Sequence, residues 1–391
     1  MQSQPSSQPI LITGKPSRQV DYVGAFFDAA RLPGQSPLRL GRRLLRCTMS
    51  PQYLTVPTFF RLGLYRPEMS GPEVAAFIGG VSNYRFNRLL NGPSSENETE
   101  ALKDKLETAH RLALAGIPTA KVLAVYPGHH RSGAATVLTS ASEIEAYLLR
   151  PESTPCFGKP ILGGAGNGVV AIEGSPENGN LLLGNGRVIS AAALAQEIVG
   201  HYSKGYMFQE LLRASDEVRA LSGPGIPSVR IYTLWLEGGP RPLYASARLP
   251  APSAMSDDDA IPGIARLHLD LETGAILRAQ DNDKDAGHSV THAPVTGIRL
   301  EGQAFPDWQR TVATAVETHR QFPKHRAVGV DLAPTDRGLI VNEANATPGS
   351  KNYQLASLIG MLNPKFSPLF RQALAERGVK RPVRGVPWPS G

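Results

Sequence analysis

Val328-Gly329-Val330-Asp331-Leu332-Ala333, then Pro334-Thr335-Asp336-Arg337, then Gly338-Leu339-Ile340-Val341-Asn342-Glu343-Ala344-Asn345 reads as two strands joined by a four-residue turn. Aliphatic and β-branched residues dominate both strands, the composition of strands covered on both faces. Asp331 lies inside the first strand, and Glu343 and Asn345 end the second. Their offset across the turn sets Asp331 opposite Glu343. Two like charges in apolar strands repel and lose hydration unless a cation sits between them. Two carboxylates and an amide carbonyl are hard oxygen donors that suit Mg²⁺ or Mn²⁺ shared with phosphate oxygens. The alternative is an edge-strand Asp and a Glu that faces solvent.

Upstream, Phe157-Gly158-Lys159-Pro160-Ile161-Leu162 is strand-like and runs into Gly163-Gly164-Ala165-Gly166-Asn167-Gly168, after which Val169-Val170-Ala171-Ile172 resumes a strand. These glycines link strand to strand. A phosphate loop or dinucleotide fingerprint needs a helix after its glycines, so neither fits. A glycine hairpin still lets bare N–H groups approach anionic oxygens, with Lys159 adding a fixed positive charge. The bland alternative is a hairpin that merely turns.

Outward from these motifs, residues 97–115 read as one helix, with Asn97 and Glu100 as a capping box, Leu102, Leu106, Ala109 and Ala113 on one face, and Gly116 as its stop. Strands are expected at 120–126, 206–212, 229–236, 243–249 and 267–271, and helices at 73–81, 84–90, 142–149, 191–202, 308–322 and 353–362. The basic cluster 39–46 reads as an exposed helix face, and 281–297 as a loop. The expected organisation is a mainly helical extension (1–92), two α+β subdomains (93–205 with the glycine hairpin, 206–377 with the carboxylate hairpin), and a basic, frayed tail (378–391).

Of 391 residues, 41% are hydrophobic and 19% charged, so the chain has apolar surface enough for a core and is not of the disordered class. No run approaches the ~20 apolar residues that span a bilayer. The first nine residues lack the charged start and apolar core of a signal peptide, so a cytoplasmic location is expected. Two cysteines make neither a disulfide framework nor a four-thiolate zinc site. The charge excess is 41 − 34 = +7, but the basic residues form no block of five and do not alternate with aromatics. Nucleic acid is therefore not the expected partner, whereas a pocket for a polyanion such as a nucleoside triphosphate is.

In order along the chain, these parts resemble the ATP-grasp superfamily, and its sugar-transfer-associated branch related to α-L-glutamate-ligase-like proteins. The resemblance runs from about Pro51 to Phe370. It includes Tyr65-Arg66-Pro67-Glu68, Asp104-Lys105, Gly116-Ile117-Pro118-Thr119, Leu221-Ser222-Gly223, Ser228-Val229-Arg230-Ile231-Tyr232-Thr233, Phe305-Pro306-Asp307-Trp308 and Gly329-Val330-Asp331 with Glu343-Ala344-Asn345. What it implies is an ATP-grasp fold in which two α+β subdomains clamp ATP. Lys105 and Lys159 would hold the phosphates under a flap of Gly163, Gly164, Gly166 and Gly168. Gln209, Glu210 and Leu212 would line the adenine, and Glu217, or its neighbour Asp216, would meet the ribose. Arg230 and Arg248 would neutralise the transferring phosphoryl and acyl-phosphate oxygens. Asp331, Glu343 and Asn345 would hold Mg²⁺ or Mn²⁺. His292 matches a family position without an assigned role. The implied activity is a carboxylate–amine ligase working through an acyl phosphate on small-molecule substrates, with a surface-polysaccharide or peptide-like metabolite as the class the resemblance suggests. A kinase on the same fold and a non-catalytic nucleotide-binding scaffold are the rivals. Ser256-Asp257-Asp258-Asp259-Ala260-Ile261-Pro262-Gly263-Ile264 departs from the branch, which shows an Asp-Asn and a paired-glycine run there, and this bears on the acceptor rather than on the nucleotide.

Overall fold

The structure, a computed structural model, describes residues 10–11, 21–127, 133, 135–163, 167–176, 178–251, 263–281 and 289–389. Two sheets carry the architecture, with a helical layer supplied by the N-terminal part. That layer is α1 (Tyr22–Ala30), α2 (Pro37–Met49), α3 (Val56–Arg61), α4 (Gly71–Ala75) and α5 (Gly80–Asn91). Ser36, Thr55 and Ser70 cap α2, α3 and α4 with their hydroxyls, each followed by a proline in the first helical turn where no N–H is needed.

Residues 97–115 are two helices rather than one: α6 (Glu96–Lys103) and α7 (Lys105–Leu114). Asp104 breaks the run. Its backbone is extended, and its carboxylate accepts from the N–H groups of Leu106 and Glu107, capping α7. An Asp that caps satisfies otherwise orphaned donors, which outcompetes one more helical turn. No side-chain cap forms at the start of α6, so the expected capping box is absent. Gly116 ends α7 in a left-handed conformation, as expected.

The first sheet contains β1 (Val122–Tyr126), β2 (Thr136–Val137), β3 (Cys156–Pro160), β4 (Val170–Gly174), β5 (Asn180–Leu183), β6 (Val188–Ser190) and β7 (Tyr206–Glu210), in the order β2-β1-β7-β3-β4-β5-β6. Helices α8 (Ala141–Leu148) and α9 (Ala191–His201) pack together, and Ile144, Leu148, Leu194 and Ile198 share one apolar cluster with Phe208 and Ile172 of the sheet. β7 lies between β1 and β3, so this sheet extends to Glu210, beyond the expected boundary at 205.

After α10 (Asp216–Ser222) comes the second sheet: β8 (Ser228–Leu236), β9 (Gly239–Leu249), β10 (Ala265–Leu269), β11 (Ile276–Asp281), β12 (Ala327–Thr335) and β13 (Gly338–Asn345), in the order β11-β10-β9-β8-β12-β13. One face is apolar: Val229, Ile231, Ala245, Ala247, Leu267 and Val330 bury against α11 (Trp308–Arg320). The other face carries Arg230, Ser246, His268 and Arg278 in register with Asp331, because cross-strand partners share a face. Helix α12 (Lys351–Ser357) covers the β9–β11 end of that face, where Tyr353 stacks on Tyr244 at 4.1 Å. α12 stops at Ser357, short of the expected 362, where Leu358 turns left-handed. Helix α13 (Ser367–Glu376) packs against α5 and β8, and part of the segment expected to fray is packed: Pro387 and Pro389 are buried and Trp388 joins the same cluster. Among the described residues no helix is long and apolar enough to cross a membrane.

Candidate active site

The site lies where the two sheets meet. The strand pairing that forms it depends on one extra residue. A two-residue turn at Asp336-Arg337 pairs Thr335 with Gly338, and regular pairing continues to Leu332 opposite Val341. The next pair is Asp331 with Glu343, so Asn342 is a β-bulge. Without the bulge, Asp331 would face Asn342, since each step moves both strands by one residue. The expected opposition of Asp331 and Glu343 is therefore present, produced by a tighter turn and a bulge rather than by a four-residue turn.

The cation beside Asp331 is Arg230. Its Nε donates to Asp331 Oδ1 at 2.6 Å and its Nη2 to Oδ2, a bidentate pair across β8 and β12. Asp331 is buried and Arg230 nearly so. Burial opposes the guanidinium charge, but Asp331 more than compensates, and the Arg230 pKa is raised. Asn345 Nδ2 donates to Asp331 Oδ2 at 3.1 Å. Glu343 points instead into the cleft, where its Oε1 lies 3.6 Å from Lys105 Nζ.

Across the cleft stands the first sheet. Lys105 is positioned twice: its N–H donates to the Ile161 carbonyl at the end of β3, and its Nζ donates to the Gly163 carbonyl at 2.5 Å. The Asp104 break therefore places Lys105 at the N-terminus of α7, facing the hairpin. Lys159 on β3 is buried, with Nζ 3.4 Å from Asn342 Oδ1 and 3.5 Å from the Asn342 carbonyl. Burial lowers its pKa to about 8, with Lys105 adding repulsion and Glu343 opposing the shift. Such a lysine gains from an incoming polyanion, which replaces the hydration it has lost.

The hairpin expected between β3 and β4 is present, with Cys156 opposite Ile172. Gly163 has φ +106° with open space where a side chain would start. Gly168, at φ +77°, is anchored: the Tyr206 hydroxyl donates to its carbonyl at 2.9 Å and Tyr202 occupies the space a Cβ would need. Gly164 and Gly166 lie outside the described residues, as does 256–262 of the departing segment.

A cleft of about 360 Å³ is lined by Lys105, Lys159, Gly163, Gln209, Glu210, Leu212 and Glu343, together with residues that sequence reasoning missed. Among the latter, Arg213 forms a bidentate pair with Glu173 at the rim, and Asn342 reaches Lys159. The sequence signals were slight: one arginine after Leu212, and an amide preceding Glu343. The Glu210 carboxylate is occupied, accepting from the Lys121 N–H at 2.9 Å and from Arg337 at 2.7 Å. Leu211 and Leu212 line the cleft, and among the described residues no backbone–backbone hydrogen bond engages either of them. Glu217 is exposed on α10 and does not line the cleft; Asp216 pairs with Arg219 at 3.4 Å. Arg248 is half-buried on the polar face, opposite Ser228 and Arg266. His292 is exposed, and its Nδ1 lies 2.9 Å from the Thr291 hydroxyl.

The donor set fits a hard divalent cation. Asn345 presents Nδ2 to Asp331, which leaves its amide oxygen available. Asp331 Oδ2 already accepts twice and Oδ1 once, so one lone pair of Oδ1 remains. Glu343 is one-quarter exposed and has Oε2 to give. Glu343 is thus the principal candidate ligand.

Residues 82–365, more than half of the chain, match the family described as sugar-transfer associated ATP-grasp. No curated protein matches. Three solved structures are similar at low identity. D-alanyl-alanine synthetase A from Vibrio cholerae O1 biovar eltor is 13% identical, with 73% of this chain and 67% of that one covered, at a TM-score of 0.41. L-amino acid ligase from Bacillus licheniformis is 14% identical, with 74% and 52% covered, at 0.40. The D-alanine-D-alanine ligase from Coxiella burnetii is 12% identical, with 71% and 58% covered, at 0.39. The chain thus spans about half to two thirds of these proteins' lengths, and likeness at this level carries nothing about activity. The family match over residues 82–365, with the site just described inside it, decides the family: the chain belongs to the sugar-transfer associated ATP-grasp family.

Proposed function

We propose that the cleft binds ATP and that the protein is an ATP-dependent carboxylate–amine ligase of the α-L-glutamate-ligase-like kind. The observation that carries this reading is the meeting of Lys105 at the start of α7 and Lys159 on the first sheet with Asn342 and Glu343 of the second, where Glu343 stands opposite Asp331 and its partner Arg230 in the ladder. Cationic groups and a carboxylate set facing one another across a cleft suit a metal–triphosphate, which brings both signs of charge.

In this reading the peptide groups of Leu211 and Leu212 take the adenine edge, with Gln209 beneath. Lys105 and Lys159 hold phosphate oxygens beside Gly163. Glu343, Asn345 and the remaining lone pair of Asp331 hold Mg²⁺, or Mn²⁺, which when bound neutralises phosphate charge. Arg230 fixes the orientation of Asp331 and adds positive charge beside it, and Arg248 lies on the same face toward the acceptor side.

A substrate carboxylate oxygen attacks the γ-phosphorus and ADP leaves. An amine nitrogen then attacks the acyl carbon, and phosphate leaves as the nitrogen loses its proton. Only positioning and charge stabilisation are asked of the protein.

The test is ATP turnover in a screen of small carboxylates with hydroxylamine as the amine. ADP and a hydroxamate should appear together, only with magnesium and a carboxylate present. A stable phosphorylated product formed without any amine would overturn the ligase in favour of a kinase.

A further inference from the structure

Between Ala29 and Pro67 the chain has seven arginines (Arg31, Arg39, Arg42, Arg43, Arg46, Arg61 and Arg66) and not one acidic residue, so these 39 residues alone match the +7 excess of the whole protein. They fold into the helical layer, and none of them lines the cleft. Arg43 is spent on the carbonyls of Leu64, Arg66 and Met69. Arg39, Arg42 and Arg46 are exposed on α2.

The arginines are not alone on that face. Leu40 and Cys47 point α2 into its own core. Leu38, Leu45 and Met49, spaced seven and four residues apart, lie on the opposite side of the same helix. They are exposed, Met49 to 75%. Arg42 and Arg46 run alongside, one turn apart. Val23 and Phe27 of α1 are also more than half exposed, with Asp28 next to Phe27 paired to Arg31 at 3.0 Å. The helix therefore has two apolar faces, and the outer one is edged by cations.

From this we infer that the outer face of α1 and α2 is a peripheral docking surface for an anionic lipid bilayer. The charge complementarity selects an anionic partner, and the apolar row selects one with a hydrocarbon layer beneath its charges, as a bilayer has and a nucleic acid has not. Exposed apolar rows of this kind are otherwise a liability on a soluble surface. α2 has 13 residues, about 20 Å of helix, so it lies on the surface and does not span it. In that pose Leu38, Leu45, Met49 and Phe27 enter the acyl boundary while Arg39, Arg42 and Arg46 meet lipid phosphates.

The experiment is co-sedimentation of the full chain with vesicles of phosphatidylcholine containing about one-third phosphatidylglycerol, against vesicles of phosphatidylcholine alone. The protein should sediment with the anionic vesicles and not with the neutral ones. Arg42→Gln with Arg46→Gln should weaken partitioning about five-fold per charge removed. Leu45→Ser with Met49→Ser should abolish it. Both pairs are exposed, and an unchanged melting temperature will show that each variant is folded. Equal sedimentation with both vesicle types, or none with either, would overturn the proposal. So would a dimer that the Leu45→Ser/Met49→Ser variant dissolves, which would assign the face to a second copy, or oligonucleotide binding lost with the arginines alone.

Discussion

Arg230 and Asp331 form a bidentate pair in which the carboxylate is 5% exposed, so each depends on the other. Removing one partner of such a pair leaves a buried charge without compensation, at about 3–5 kcal/mol. Asp331→Asn should therefore lower stability by about that amount in urea unfolding. Glu343→Gln, whose side chain sits at the cleft, should change it little. Lys159 gives a second test. Its folded pKa, about 8, is below the ordinary lysine value of 10.5, so in the window between them the unfolded chain binds more protons. Stability of the free protein should rise with pH through that window, because the penalty for burying the ammonium is relieved as it deprotonates. Bound triphosphate favours the charged form, so nucleotide binding near pH 8.5 should take up protons. Calorimetry in buffers of different ionisation enthalpy will detect that uptake, and Lys159→Met should abolish it.

Two local breaks in regular structure build the site. Asp104 splits an otherwise continuous helical pattern and sets Lys105 against the Gly163 carbonyl. Asp104→Ala should lower stability by about 0.5–2 kcal/mol, and should weaken nucleotide binding beyond that by releasing Lys105. Urea unfolding and nucleotide titration on the same sample will separate the two effects. The Asn342 bulge is the second break, and it sets Glu343 opposite Asp331 in the ladder while leaving Asn342 beside Lys159. Neither break was legible in the sequence. Periodicity across 97–115 is helical on both sides of Asp104, and only the cap geometry separates them. Residues 331 and 343 were identifiable because isolated carboxylates in apolar strands are conspicuous. Arg230 as their cation was not, because β8 reaches β12 only through the order of the sheet, a non-local fact. The glycine hairpin was readable because both flanking strands are apolar and no helix follows.

At the scale of the molecule, the helical layer and the second sheet are joined by Gln354. Its Oε1 accepts from the N–H groups of Ile78 and Met361, and its Nε2 donates to the Ile78 carbonyl, all within a buried site. Gln354→Leu strands these three peptide groups at about 1–3 kcal/mol for each left unsatisfied. Hydrogen exchange should quicken at Ile78 and Met361 while the first sheet is unaffected. The two sheets meet across narrower bonds, with Val341 donating to the Pro118 carbonyl and Arg337 to Glu210, so the cleft lies between lobes joined mainly at their edge. Composition foretold a folded chain. It did not foretell that the basic excess sits in the helical layer, because only folding shows which arginines remain on the surface.

The most direct test of the central claim is thermal unfolding of the wild type and of Glu343→Gln, each with and without saturating ATP and magnesium. Ligand at about 100 times its dissociation constant adds about 2.7 kcal/mol, a rise of several degrees. A magnesium-dependent rise in the wild type that shrinks in the variant is the predicted result. No rise in the wild type, or the same rise in both proteins, would contradict a nucleotide–metal site built on Glu343.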